Sequence, residues 1–299
     1  MSKQLGEREA FQKQIHKPNN PLCIIIKIIK FHSSIYYINL TYIYLIFESF
    51  PKRCSKIVFL SDVSNVEKPE ELNIIELEGV TGRGKLWEKV KLGMDLIMEL
   101  YYGTFDYLIK ADDDSYIVVG NLLKLLSQMD PKNKFIIGHK QQDQGVSYLS
   151  GGSGYVMSSS AFYQIVQDGF KTDGPQKCIL PHAEGNEVKI YPNEDLQMGK
   201  CAQLLNIGLY NSEINGQSTF FPFKFERHLV KSLAVEWWLS RTEECLEVKT
   251  NEGIKPSLSP QCVSPYLISM HYVKPHMMYV LQFLTEEFRN EQIGQKISK

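Results

Sequence analysis

The chain has 299 residues, 43% of them hydrophobic, and a formal net charge of −1. That length holds one large domain or two small ones, and the balanced charge, with no long basic stripe, argues against a nucleic-acid partner. The six cysteines are scattered without a C-x-x-C pair, which excludes a zinc site of that type and leaves buried thiols and disulfides both open.

Residues 1–20 are polar and carry Lys3, Arg8, Lys13 and Lys17; residues 21–47 are dominated by Ile, Leu and Tyr. A basic tail before an apolar stretch suggests a type II signal-anchor. Lys27, Lys30, His32 and Asn39 interrupt it, so no clean run of about 18 apolar residues exists. Asn39-Leu40-Thr41 is the one glycosylation sequon, and an anchor there would make it unusable. Translated A/T-rich non-coding sequence would give the same Ile/Lys/Tyr/Asn-rich pattern. Residues 1–50 are therefore set apart as tail and anchor, and 51–299 as the folded domain.

Lys56 to Asp62 predicts a buried strand, and Asn73 to Leu77 a weaker one. After the basic loop Thr81 to Lys85, residues Leu86, Val90, Met94, Ile97 and Tyr101 share one helical face, closed by Gly103. A strand-type stretch from Phe105 then runs into Asp112, Asp113 and Asp114. A strand interior cannot hold three adjacent unpaired carboxylates, so the strand ends here. An extended period of two points Asp112 and Asp114 the same way, as a hard divalent cation requires. A solvated acidic turn is the plainer reading of D-x-D alone.

Asn121 to Met129 predicts a short helix, Phe135 to His139 a strand, and Tyr148 to Ser158 a glycine-rich segment. Gly151, Gly152 and Gly154 would let backbone approach a ligand closely. Ser159 is placed as the cap of a helix through Asp168, and Asp173 to Pro192 as a loop containing Cys178. Asn193 caps a helix that opens on Glu194 and Asp195, with Leu204 and Leu205 on its inner side. Two acids in a first turn serve either the helix dipole or catalysis. Trp237 and Trp238 read as core more readily than as binding surface. Ser269 to Val273 predicts a short strand carrying His271, and a last helix runs from about His276 to Asn290, with Tyr279, Phe283 and Phe288 among its apolar residues. Strands and helices in alternation argue for an α/β sandwich of one domain.

Six motifs then occur in order: Arg83-x-x-Leu86-Trp87-x-Lys89, Lys110-Ala111-Asp112-Asp113-Asp114-x-Tyr116, Leu149-Ser150-Gly151-Gly152-x-Gly154-Tyr155-Val156, Glu194-Asp195-Leu196-x-x-Gly199-x-Cys201, Phe221-Pro222-Phe223 and His271-Tyr272-Val273. Over about Glu48 to Asn290 the chain resembles the animal core 1 β1,3-galactosyltransferases, which share a glycosyltransferase family with Fringe. The resemblance implies a GT-A fold, a nucleotide-sugar-binding sandwich with a central mixed sheet flanked by helices. It implies inverting transfer of galactose from UDP-galactose to the 3-hydroxyl of O-linked GalNAc on Ser or Thr, with Mn²⁺. The enzyme would be a single-pass type II protein of the Golgi membrane with a lumenal catalytic domain, and a homodimer is allowed.

By resemblance Asp112 falls near the nucleotide sugar, Asp114 and His271 on the metal ligands, and Asp195 on the base with Glu194 beside it. Arg83, Lys89, Gly151 and Gly152 fall in the nucleotide-sugar region. Tyr155, Trp237 and Trp238 are weaker candidates for the acceptor side. Cys54, Cys178, Cys201 and Cys262 fall on family cysteines. Three departures matter. The family's first strand has only a partial echo at Leu22-Cys23-Ile24-Ile25. Its Cys-Cys pair reads Cys262-Val263, leaving Cys245 as a candidate replacement partner. An Arg-bearing acceptor loop reads Leu209 to Ile214, with Glu213 in place of the Arg. A non-catalytic chaperone-like relative and a Fringe-like transferase moving GlcNAc to fucose are the alternatives.

Overall fold

The computed structural model describes residues 23–29, 56–61, 73–143, 145–170, 178, 181–184, 187–190, 193–229, 248–250, 253–255 and 263–287. In chain order the strands are β1 (Cys23–Ile29), β2 (Lys56–Ser61), β3 (Ile74–Glu76), β4 (Tyr107–Asp112), β5 (Tyr116–Ile117), β6 (Phe135–Gly138), β7 (Lys140–Asp143), β8 (Val146–Leu149), β9 (Tyr155–Ser158), β10 (Pro181–Glu184), β11 (Glu187–Ile190), β12 (Gly208–Asn211), β13 (Glu213–Ile214), β14 (Gln217–Ser218), β15 (Phe220–Phe221), β16 (Val248–Thr250), β17 (Gly253–Lys255) and β18 (Ser269–Met270). The helices are α1 (Leu86–Tyr101), α2 (Val119–Leu126), α3 (Ser159–Gln164), α4 (Glu194–Leu204), α5 (Phe225–Leu229) and α6 (Pro275–Gln282).

Seven strands form one mixed sheet in the order β12-β6-β9-β4-β1-β2-β3. β9 pairs antiparallel with both neighbours, β4 and β6, while the other pairings are parallel. Strand alternation sends Val58, Leu60, Leu108 and Met157 into one core with Trp87, Val90, Met94 and Ile97 of α1. Phe59, Tyr107, Ile109 and Val156 enter a second core with Leu122 and Leu126 of α2. The sheet is thus the middle layer of a sandwich, as an α/β chain with buried parallel strands requires. β4 is buried along its whole length and delivers its carboxyl end, Asp112, to the sheet edge. Ligands bind at such edges in open α/β sheets.

Several expectations are corrected. β1 falls inside the stretch set aside as tail and anchor, yet pairs in parallel with both β4 and β2. A parallel strand paired on both edges that is written as a continuous apolar run reads like a fragment of a span. The sheet therefore begins ahead of residue 51. Among the described residues no helix is long and apolar enough to cross a membrane. α2 starts two residues early and stops at Leu126, where Gln128 N–H and Met129 N–H turn to i−3 carbonyls. The cap of α3 is Ser158, whose hydroxyl accepts from Ala161 N–H at 3.2 Å; α3 gives way to a π-helical turn over Ile165–Gly169.

The expected loop before α4 contains the β10–β11 hairpin. Asn193 takes the N-cap position of α4 without a side-chain capping bond. Leu205 is buried, but Leu204 is exposed; the inner face is made instead by Leu196, Met198, Cys201 and Ala202. The last helix ends at Gln282 and continues as a π-helical turn to Glu287, with Tyr279 and Phe283 exposed. Phe288, Asn290, Trp237, Trp238, Cys54, Cys245 and Cys262 lie outside the described residues.

Candidate active site

The acidic strand end folds as a turn rather than as continued strand. Ser115 N–H donates to Asp112 O at 3.1 Å, and β5 starts at the next residue. Asp112 and Asp114 thus reach the same side by turn geometry, not by the pleat expected of an extended segment.

His271 arrives from the other end of the chain through a small three-stranded sheet, order β15-β18-β5. β18 pairs parallel with β15 and antiparallel with β5, which directly follows the acidic turn. His271 N–H donates to Phe221 O at 3.1 Å, and Val273 N–H to Asp114 O at 2.8 Å. The imidazole Nδ1 lies 2.8 Å from Pro222 O. A carbonyl can only accept, so Nδ1 carries a proton, and in the neutral ring Nε2 presents a lone pair. That Nε2 is 3.2 Å from Asp114 Oδ1 and 3.8 Å from Asp112 Oδ2. Nε2 and Asp114 Oδ1 are both buried without a hydrogen-bond partner among the described residues. A lone pair facing a carboxylate at this range is repulsive unless a cation lies between them. The three side chains offer ligand atoms within 4.8 Å of one another, and one nitrogen with two carboxylates suits a divalent ion. The residues present fit a metal. Tyr272, with φ 57°, stacks on the imidazole at 3.9 Å between ring centroids.

Lys110 of β4, which opens the acidic motif without a role legible from sequence, is fully buried. Its Nζ donates to Asp112 Oδ1 at 2.9 Å, to Gly151 O at 3.0 Å and to Glu194 Oε1 at 2.5 Å. Burial pushes this ammonium down, but the Asp112 and Glu194 carboxylates outweigh it and hold it well above the usual lysine range. Tyr155 OH donates to Glu194 Oε2 at 3.0 Å. Burial and Glu194 raise this phenol, so it stays a donor. Glu194 itself is 2% exposed. The signal for Lys110 was its placement two residues before Asp112, on the same strand face.

Asp195, next in the first turn of α4, is half-buried. Gly151 N–H donates to its Oδ2 at 3.2 Å and Leu196 N–H to its Oδ1 at 2.9 Å. Burial first, then the Glu194 charge, raises its pKa to about 6, against the lowering pull of these two amides and Lys110.

The glycine run meets the protein's own site. A Cβ on Gly151 would overlap Glu194 Oε1, and one on Gly152 would overlap the His271 ring. Ser115 Oγ and Ser269 Oγ hold the run by donating to Gly152 O and Ser153 O. The expected approach to a ligand is thus taken up by Glu194 and His271. Tyr155, an acceptor-side candidate, is instead 1% exposed beneath Glu194. Arg83 lies exposed on a 3-10 turn before α1, while Lys89 is buried on α1. Glu213 is exposed on the β13–β14 hairpin and accepts from Asn211 Nδ2 at 2.6 Å. Cys178 and Cys201 form a disulfide that anchors α4.

An α/β sandwich that ends its central strand in paired carboxylates, with a histidine returned to them from the far end of the chain, is the architecture of GT-A glycosyltransferases, and the protein is of that class. Residues 41–215, more than half the chain, match the Fringe-like family. The chain belongs to that family. It is 28% identical over 249 residues to glycoprotein-N-acetylgalactosamine 3-beta-galactosyltransferase 1 of Xenopus laevis, a match taking in 81% of this chain. The chain spans 61% of that relative's length.

Proposed function

We propose that the protein transfers galactose from UDP-galactose to the 3-hydroxyl of O-linked GalNAc on Ser or Thr of glycoproteins, with inversion, giving Galβ1-3GalNAc. The donor and acceptor come from the likeness to the Xenopus galactosyltransferase. The observation that carries the chemistry is the pair of orphaned atoms, His271 Nε2 and Asp114 Oδ1, facing each other beside Asp112. We assign Asp112, Asp114 and His271 to hold Mn²⁺. Bound there, the ion would neutralise charge on the departing diphosphate as a Lewis acid.

The chain's own residues do the rest. Lys110 fixes Asp112 through Oδ1 and leaves Oδ2 toward the metal side. Asp195, held by two backbone amides, is aimed as the base. It takes the proton of the acceptor hydroxyl as the new C1–O bond forms and the bond from C1 to the UDP oxygen breaks. With a pKa near 6 it is ionised at neutral pH yet basic enough to accept a proton. The Cys178–Cys201 disulfide supports an oxidising compartment, in keeping with a type II Golgi enzyme whose catalytic domain is lumenal.

The test is transfer from UDP-galactose to a GalNAc-peptide by purified protein in Mn²⁺, and a protein that moves no galactose refutes the reading. The match to the Fringe-like family favours one second reading, transfer of GlcNAc to fucose. Competition between UDP-galactose and UDP-GlcNAc separates the two.

A further inference from the structure

Glu194 and Asp195 are adjacent in the first turn of α4, but the structure treats them oppositely. Asp195 is half-buried and held by two backbone amides, with no side-chain cation bonded to it among the described residues. Glu194 has both oxygens committed, Oε1 to Lys110 and Oε2 to Tyr155, and is 2% exposed. A substrate hydroxyl reaches either oxygen only by displacing the Lys110 ammonium or the Tyr155 hydroxyl. Lys110 also bonds Gly151 O, and Gly151 N–H bonds Asp195. One peptide segment therefore connects the ammonium on one side with the base carboxylate on the other.

We propose that Lys110 and Glu194 form a buried positioning pair that orients and electrostatically tunes Asp195, and that Glu194 never exchanges a proton with the acceptor. This rests on Asp195 being the base of the proposed transferase. The fit is sterically enforced, since a Cβ at Gly151 would meet Glu194 Oε1 and Lys110 Nζ. Among the described residues, the charged or titratable groups acting on Asp195 are Glu194 on its own helix, Lys110 on β4 and Tyr155 on β9, with Asp112 behind Lys110. Glu194 opposes ionisation of Asp195, and Lys110 favours it. A cation within a few ångströms of a carboxylate typically shifts it by one to three pH units, so each half of the pair has a readable effect of opposite sign.

Three variants separate this role from a scaffold role: Glu194→Gln, Lys110→Met, and the two combined. The readouts are the acid limb of kcat/KM against pH and the ¹³C titration of the Asp195 side-chain carboxyl, identified by its loss in Asp195→Asn. Glu194→Gln should move the limb and the carboxyl titration down by about one pH unit, and Lys110→Met should move both up by a similar amount. The double variant, which removes both charges, should return them to near the wild-type position. A limb that stays put in every variant, or a folded Glu194→Gln that loses all turnover while the Asp195 titration is unmoved, overturns the proposal. Where Lys110→Met does not fold, the other two variants decide. If the wild-type protein moves no sugar at all, the transferase reading has failed, and the carboxyl titration still tests the pair.

Discussion

His271 Nε2 lies 3.2 Å from Asp114 Oδ1, and neither buried atom has a hydrogen-bond partner among the described residues. Pro222 O fixes the ring in the tautomer that points a lone pair at the carboxylate. The arrangement is costly without a cation and stabilising with one. Adding Mn²⁺ should therefore raise the thermal midpoint, by linkage worth about 2.7 kcal/mol at a hundredfold excess over Kd. Asp114→Asn and His271→Ala should each abolish that rise and lower turnover on the order of 100-fold or more. In EDTA, Asp114→Asn should be at least as stable as wild type, because it removes the carboxylate charge that faces His271 Nε2. A wild-type midpoint indifferent to Mn²⁺ sinks the metal assignment.

Gly152 provides an independent check on the same residue. A Cβ there would overlap the imidazole, so Gly152→Ala must displace His271 or the backbone. The expected loss is about 1–3 kcal/mol, as for other overpacked sites, accompanied by loss of the Mn²⁺ response. Gly84→Ala, where an added Cβ meets nothing within 4 Å, is the control and should change stability by about 0.5 kcal/mol at most. Denaturant midpoints with and without Mn²⁺ distinguish the two.

Local pattern made some of this legible and distance in sequence hid the rest. The face Leu86-Val90-Met94-Ile97 and the strand Lys56–Ser61 declare themselves by period, because each buries one regular stripe. Asp112 and Asp114 were recognisable as a pair, but the turn that aligns them was not, since spacing alone does not separate pleat from turn. His271 sits beyond a two-residue strand, too short to carry a period; only the resemblance tied it to the acids. Gly151 and Gly152 suggested close approach correctly, but not what approaches. Tyr155 looked like an aromatic available to a sugar, and its partner Glu194 is 39 residues away. The central strand Cys23–Ile29 reads from sequence as an interrupted anchor, as translated non-coding sequence or as a partial echo of the family's first strand, because its isoleucine run suits a bilayer as well as a sheet.

The disulfide is the next testable element. Cys178–Cys201 closes a sequence separation of 23 and ties α4, the helix that carries Glu194 and Asp195, to the segment before it. On the chain-entropy account such a link contributes about 3 kcal/mol. Cys178→Ser combined with Cys201→Ser should lower the unfolding free energy by that amount, with a lower midpoint, and reduce kcat more than it raises KM, because it is the base-bearing helix that loosens. An equal midpoint for the double variant and the oxidised wild type would refute the structural role.

Asp195 ties stability and activity to pH with opposite signs. Its pKa in the folded protein is about 6, against the ordinary 3.8. Between those values the folded state binds the proton that the unfolded state has released, so stability falls as pH rises from about 4 through 6. The stabilisation by the protonated form is complete below about 4 and gone above the folded pKa. Activity runs the other way. Only ionised Asp195 accepts the acceptor proton, so kcat/KM should climb through a midpoint near 6 and then level. Asp195→Asn should cut kcat/KM by about 10²–10⁴-fold and flatten the activity profile. It should also remove this residue's share of the stability slope between pH 4 and 6, measured as urea midpoints at stepped pH. An acid limb that persists in Asp195→Asn at its wild-type position would assign the base to another group.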